Sequence, residues 1–255
     1  MTARRAEVRT SVSTWRQPRP APASPERTRL IGELAGRILA LGGERLRVGV
    51  DGPTAAGKTS FGHELAEHVA GAGRPVLRAT LDDFKRPWRD RHLYDRESAE
   101  GYYRNAFDYE AVRALLLEPC GPGGSGRAAL CAIDPLTQAD HSAVVTTAEP
   151  DAVLIVDGVF AFRPEINEYW DFRVRLEVSP DTTLRRGAGR DRDWAGAEAE
   201  ALHRDRYLPA DRLYAAEVDP RGLADVVIDN TFFDRPRILP ITPEPGPRGR
   251  TRSSG

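Results

Sequence analysis

Eight residues, Gly52-Pro53-Thr54-Ala55-Ala56-Gly57-Lys58-Thr59, fit the pattern G-x-x-x-x-G-K-[ST], and Ser60 follows them. The chemistry of that spacing is anion binding. Glycines let successive backbone N–H groups turn inward and form a nest for phosphate oxygens. A helix that begins at the lysine adds its positive end. Lys58 would reach the β- and γ-phosphates of a nucleotide, and the Thr59 hydroxyl would bind Mg²⁺. Residues 52–60 are therefore the expected cradle for a triphosphate, with ATP and Mg²⁺ as the expected cofactors. A second acid should stand near the metal at the end of an apolar strand. The run Val153-Leu154-Ile155-Val156 ends at Asp157, which is expected to hold Mg²⁺ directly or through water.

Such a loop serves motors, switches and kinases alike. A guanine-dependent switch needs an Asn-Lys-x-Asp motif, and the chain's two lysines, Lys58 and Lys85, form none. Sensor motifs of a motor are likewise absent. Transfer of phosphate to a small molecule needs an acid that can take a proton from a hydroxyl, an acceptor pocket, and a cationic lid that excludes water. The acid is expected in Thr80-Leu81-Asp82-Asp83-Phe84-Lys85, just after the second apolar strand. Asp82 is preferred to Asp83 as the base because it lies nearer the strand end, with Asp83 left open. The lid is expected in the stretch that carries Arg185, Arg186, Arg190 and Arg192. Arg186 and Arg190, four apart, share one helical face and are expected to stabilise the transferred charge.

These groups need a scaffold that aims them at one place. Apolar runs near 46–50, 75–80, 153–156, 172–178 and 224–228 alternate with helical patterns at 25–41, 58–71, 108–117, from 180 onwards and at 197–218. Two shorter strands are expected near 129–133 and 143–147. That alternation predicts an α/β fold with a parallel sheet covered by helices on both faces. Parallel strands place their C-terminal ends on one side, where ligands bind in such sheets. The polar run 86–104 lacks an apolar stripe and is expected to be a long loop on the acceptor side. Residues 1–24 and 236–255 are rich in Arg, Pro and Ser. They are expected to be disordered tails flanking a kinase domain at 25–235.

Composition narrows the partners. The net charge is −1 and basic residues nearly balance acidic ones, so no nucleic-acid partner is expected. No apolar run approaches the length of a membrane span, and none follows the N-terminal arginines as in a secretory signal. Two cysteines without metal-ligand spacing suit a reducing compartment, so a cytoplasmic location is expected. A homo-oligomer stays open.

Several segments together are similar to the uridine kinase and phosphoribulokinase family of P-loop kinases. They are VDGPTAAGKTSF, LDDFKRPW, NAFDYEAV, VLIVDGVFAF, the RRGAGRD lid and ADVVIDN, spread over about 46–234. The resemblance implies a three-layer α/β/α P-loop nucleoside triphosphate hydrolase fold with a central parallel sheet and an arginine-bearing lid. It implies an ATP-dependent phosphotransferase acting on a small-molecule hydroxyl acceptor, most simply a nucleoside of uridine or cytidine type. Asp82 matches the acid that acts as base on the sugar hydroxyl in the family's nucleoside kinases, and Arg186 and Arg190 match the lid arginines. Phe84, Tyr102 and Asp134 are the expected acceptor contacts, with Asp134 in a faint echo of the base-reading segment. Two departures stand out. Tyr102 occupies the position where the nucleoside kinases carry a ribose-binding acid, and Asp157-Gly158 replaces the more common Glu-Gly. Pantothenate, nicotinamide riboside or a sugar phosphate is the alternative acceptor. A non-catalytic ATP-binding regulator is the alternative to an enzyme.

Overall fold

The computed structural model describes residues 5–15, 23–91, 93–95 and 97–241. In chain order its strands are β1 (Val8–Thr10), β2 (Leu46–Asp51), β3 (Val76–Thr80), β4 (Arg127–Ala129), β5 (Val145–Thr147), β6 (Val153–Asp157), β7 (Phe172–Glu177), β8 (Val226–Asp229) and β9 (Arg237–Leu239). The helices are α1 (Pro25–Ala40), α2 (Lys58–Gly71), α3 (Ala99–Asn105), α4 (Tyr109–Val112), α5 (Pro180–Ala195), α6 (Ala199–Leu202), α7 (Leu208–Val218) and α8 (Pro220–Leu223). Seven strands form one sheet in the order β1-β3-β6-β2-β7-β8-β9. All its pairings are parallel except that of β9, which runs antiparallel to β8. β4 and β5 form a separate antiparallel pair.

Both faces of the sheet are buried, which is why its strands read as unbroken apolar runs. Along β6, Val153 and Ile155 pack with Leu34, Ile38, Phe61 and Leu65 of α1 and α2. Leu154 and Val156 point the other way, into a cluster with Tyr103, Leu116, Phe160 and Tyr214. The helices therefore lie on both sides, as the alternation predicted. Helix starts follow their sequence signals. Ser24 Oγ accepts the Arg27 N–H ahead of α1, and Ser179 Oγ accepts the Thr182 N–H ahead of α5, each with proline at the first helical position. Among the described residues no helix is long and apolar enough to cross a membrane.

Three expectations are corrected. The described part of the N-terminal segment is not a tail. β1 pairs with β3 through Val8↔Val76, Arg9↔Leu77 and Thr10↔Arg78 and extends the sheet. At the other end β9 carries the ordered fold past 235, while 1–4, 16–22 and 242–255 of the expected tails lie outside the described residues. The run 86–104 is not all loop. Ser98 Oγ accepts the Gly101 N–H and starts α3, whose Tyr102 and Tyr103 supply the buried face that its polar neighbours obscured. Residues 197–218 are helical, as expected, with a change of pitch part-way along. α6 leads into a wider turn at His203–Tyr207 before α7, whose first turn contains Pro209. Proline has no N–H to donate, so an even α-helical ladder cannot run through it.

Candidate active site

β2 ends at Asp51, and the chain turns through Gly52–Gly57 into α2. The turn needs its glycines. Gly57 has φ +88°, and a Cβ there would stand 2.9 Å from the Asn230 side-chain nitrogen. Ala55 also lies in the left-handed region, at φ +60°. Gly57 places no side chain at the start of α2, and no side chain caps that end. The first-turn N–H groups of an uncapped helix are natural partners for an anion. Asn230, just after β8, braces the loop from outside. Its Nδ2 donates to Ala56 O at 2.7 Å, and its Oδ1 accepts from Arg27 Nη1 at 2.9 Å.

A cleft of about 680 Å³ opens beside this loop. Its lining brings together Thr54, Ala55, Gly57, Lys58, Thr59 and Ser60 of the loop with Asp82, Tyr102, Asp157, Arg186 and Arg190. Most of the sequence-predicted site residues thus share one space. Gly52, Pro53 and Ala56 serve from behind. Gly52 sits against Leu176 O, where a Cβ would approach to 2.8 Å. Pro53 O accepts from Lys58 Nζ at 2.8 Å, and Ala56 O accepts from Asn230.

Thr59 and Asp157 stand together. Thr59 Oγ1 donates to Asp157 Oδ2 at 2.7 Å. The other oxygen, Oδ1, pairs with Arg78 Nη2 at 2.5 Å, and both side chains are almost fully buried. Arg78 was not anticipated, although a lone arginine in the apolar strand Val76–Thr80 calls for a buried acid beside it. Among the described residues no group of three or more His, Cys, Asp or Glu side chains could hold a metal. Mg²⁺ is usually bound through one or two protein oxygens, with phosphates and water completing its shell. Thr59 and Asp157 are oxygen donors of that kind.

Asp82 and Asp83 diverge. Asp82 faces the cleft, and Lys85 Nζ lies 2.6 Å from its Oδ1. Burial opposes its ionisation, but Lys85, Lys58 and Arg190 outweigh that and hold its carboxyl below the ordinary value. Asp83 is turned inward and accepts the Ser11 hydroxyl at 2.5 Å on Oδ2. Burial pushes its carboxyl up to about 6.

Arg186 and Arg190 of α5 both line the cleft, as their shared face predicted. Arg186 donates to Asn230 O at 3.1 Å and Thr231 O at 2.8 Å. Arg190 grips Asp191 through Nε at 2.6 Å and Nη2 at 3.0 Å, and buried His203 Nε2 lies 2.7 Å from the same carboxylate. Gly187 permits this packing, since a Cβ there would overlap the His203 ring.

Two expected acceptor contacts do not hold. Phe84 is fully buried in the core beneath the cleft. Asp134 is also fully buried. Its Oδ1 accepts the Leu136 and Thr137 N–H groups, and its Oδ2 accepts the N–H and hydroxyl of Thr14. The chain beyond it reaches the cleft with Pro135 and Leu136 instead. Tyr102 does line the cleft, packed edgewise on Phe160 and beside Tyr207, with Arg206 over its ring. Burial raises its hydroxyl well above the ordinary tyrosine value, so it stays neutral.

Asp211 on α7 was missed, because nothing in LPADRLY marks it. Its Oδ2 accepts the Thr54 N–H at 3.2 Å. Burial pushes its carboxyl up to about 7, against Lys58 and Arg175. An acid whose pKa is raised on folding takes up a proton as the chain folds. Its stabilising contribution is full below the unfolded value near 4 and is lost as pH rises through the folded value. Its contribution to the thermal unfolding midpoint should therefore fall between about pH 4 and about pH 7, and Asp211→Asn should remove that fall. A midpoint-versus-pH curve unchanged by Asp211→Asn would refute that placement of its titration.

The comparisons with known proteins give a family and a fold. The sequence profile of the phosphoribulokinase / uridine kinase family matches residues 47–231. No curated protein sequence matches the chain. A solved structure described as a possible uridine kinase from Bacillus stearothermophilus shares 24% identity at a TM-score of 0.60, over 77% of this chain and 96% of that one. A protein provisionally named a fructose transport system kinase from Silicibacter sp. TM1040 shares 21% identity at a TM-score of 0.62, over 75% and 95% of the two chains. At such identities the likeness of structure speaks for the fold. The family match spans the phosphate loop, the acid after β3, the β6 aspartate and the lid, and on it the chain belongs to the phosphoribulokinase / uridine kinase family.

Proposed function

We propose that the protein transfers the γ-phosphate of ATP to a hydroxyl of a small molecule, with a nucleoside of uridine or cytidine type as acceptor. The observation that carries this reading is Asp82. It is an ionised carboxylate, held by Lys85 and placed in the same cleft as Lys58 and Thr59. A carboxylate has acceptor capacity beyond one lysine, so Asp82 can also receive the acceptor's hydroxyl proton. The acceptor oxygen then bonds to the γ-phosphorus, the bond to the β-phosphate oxygen breaks, and ADP leaves. Lys58, Arg186 and Arg190 offset the charge on the moving group. Thr59 and Asp157 would hold Mg²⁺, which supplies charge neutralisation at the phosphate oxygens. Free, buried Cys120 and Cys131 fit the cytoplasmic location that belongs to this reading.

A second acceptor class draws on Tyr102. A neutral hydroxyl stands where the family's nucleoside kinases carry an acid for the ribose diol, which favours an acceptor such as pantothenate or a sugar phosphate. ADP release measured over uridine, cytidine, nicotinamide riboside, pantothenate and sugar phosphates decides between the two. The expected result is acceptor-dependent ADP release that is highest with uridine or cytidine. Release with pantothenate or a sugar phosphate alone would move the acceptor and keep the kinase. ATP binding with no acceptor-dependent ADP across the panel would leave a nucleotide-binding regulator.

A further inference from the structure

The family match begins at residue 47, yet the N-terminal segment reaches the cleft with Trp15. After β1 the chain is fastened at two points and braced once within itself. Ser11 Oγ donates to Asp83 Oδ2 at 2.5 Å. The Thr14 N–H and hydroxyl donate to Asp134 Oδ2 at 2.6 and 2.7 Å. The Trp15 N–H donates to Ser13 Oγ at 3.1 Å. The two carboxylates are informative. Asp83 follows the proposed base Asp82, and Asp134 precedes the cleft-lining Pro135 and Leu136. These two segments thus line the cleft and give an adjoining acid to residues 11–14. This also explains why Asp134 is not an acceptor contact. Its charge is spent on Thr14 and on its own turn, and these hydrogen bonds hold its carboxyl well below the ordinary range despite burial.

Trp15 is what the fastening delivers. It lines the large cleft together with Asp82, Trp88, Tyr102 and Tyr207, and it also lines a neighbouring cavity of about 160 Å³ beside Asp157. We propose that residues 11–15 form a wall of the acceptor site and that Trp15 is a specificity-determining residue, offering a flat face for a planar ring on the acceptor. The inference rests on the kinase reading in taking the Asp82 end of the cleft as the acceptor end. Indole faces attract planar heterocycles by stacking and give no such gain to an open-chain polyol or a branched amide.

Titration calorimetry on the full-length chain tests this, with a non-hydrolysable ATP analogue present. The probes are uridine and nicotinamide riboside against pantothenate and ribulose 5-phosphate. The expected result is binding of a planar-ring compound that weakens about tenfold or more in Trp15→Ala and in Trp15→Leu. Leucine keeps apolar bulk without the flat face, and Trp15→Phe should recover affinity to within about threefold. Affinity for the ATP analogue should stay unchanged in all three variants and so report an intact fold. Equal planar-ring affinity in wild type and both Trp15→Ala and Trp15→Leu would overturn the proposal, as would binding of pantothenate or ribulose 5-phosphate in preference to every planar compound. The two readings fail separately. Trp15-dependent binding without ADP release would sink the kinase reading and keep the wall. Uridine-dependent ADP release with an acceptor KM insensitive to Trp15 would do the reverse.

Discussion

Asp82→Asn is expected to cut turnover about 100-fold or more, the usual order for loss of a general base, while ATP affinity stays nearly intact. The substitution keeps the size and shape of the side chain and removes its proton-accepting charge. Asparagine can still bond to Lys85 through its carbonyl oxygen, so the loop 81–85 keeps its partner. On the proposed reading the triphosphate is held elsewhere, by the loop and by Lys58, which line the same cleft. The deficit should hold across neutral pH. Asp82 is kept below its ordinary value of 3.8, so it is already ionised there, and its protonation would slow the reaction only on the acid side of that value. Steady-state ADP release and a nucleotide titration on the same preparation measure both quantities. Asp83→Asn is the comparison, since Asp83 holds Ser11 and not the cleft, and its loss should register first in the thermal midpoint. Undiminished turnover in Asp82→Asn would end its assignment as the base.

The contrast between these neighbours shows what a sequence can and cannot carry. Strand ends were legible because a parallel sheet sends them all to one side. The positions of Asp82, Asp157 and the phosphate loop follow from that rule and from apolar runs that both faces of the sheet demand. The register Val50↔Asp157 and Thr80↔Asp157 sets those ends level. The shared face of Arg186 and Arg190 was legible for a similar reason, helical period alone. What was not legible is which way a side chain turns once the regular element stops. Phe84 and Asp134 have suitable types at suitable distances in sequence, and both face inward. Their partners, the core beneath the cleft and Thr14, are far away in the chain. The N-terminal segment was hidden by composition. Its polar, arginine-rich text lacks the apolar surface for a core, and it is ordered instead by edge pairing to β3 and by buried carboxylates that accept its Ser and Thr hydroxyls.

Lys58→Ala should lower both ATP affinity and turnover, with turnover falling about 100- to 1,000-fold, the range for removing one preorganised charge-stabilising group. Lys58 is buried, and its Nζ is aimed by Pro53 O at 2.8 Å. Burial lowers its pKa, against Asp211, Asp157, Asp51 and Asp82, which all favour its charged form. Alanine leaves those acids facing one another and facing an incoming triphosphate, so repulsion enters the ground state as well as the transition state. That separates this variant from Asp82→Asn, which acts on turnover alone. Lys58→Arg should not restore the rate. A planar fork cannot take the place of a compact ammonium packed against a carbonyl in a buried slot. Calorimetric ATP titration and ADP release, run on both variants, decide the matter. Normal affinity and rate in Lys58→Ala would mean that the loop 52–60 does not cradle a triphosphate. The expected double loss follows from the proposed roles, in which the lysine would meet the phosphates before, during and after transfer, whereas Asp82 would meet only the hydroxyl that receives the γ-phosphate.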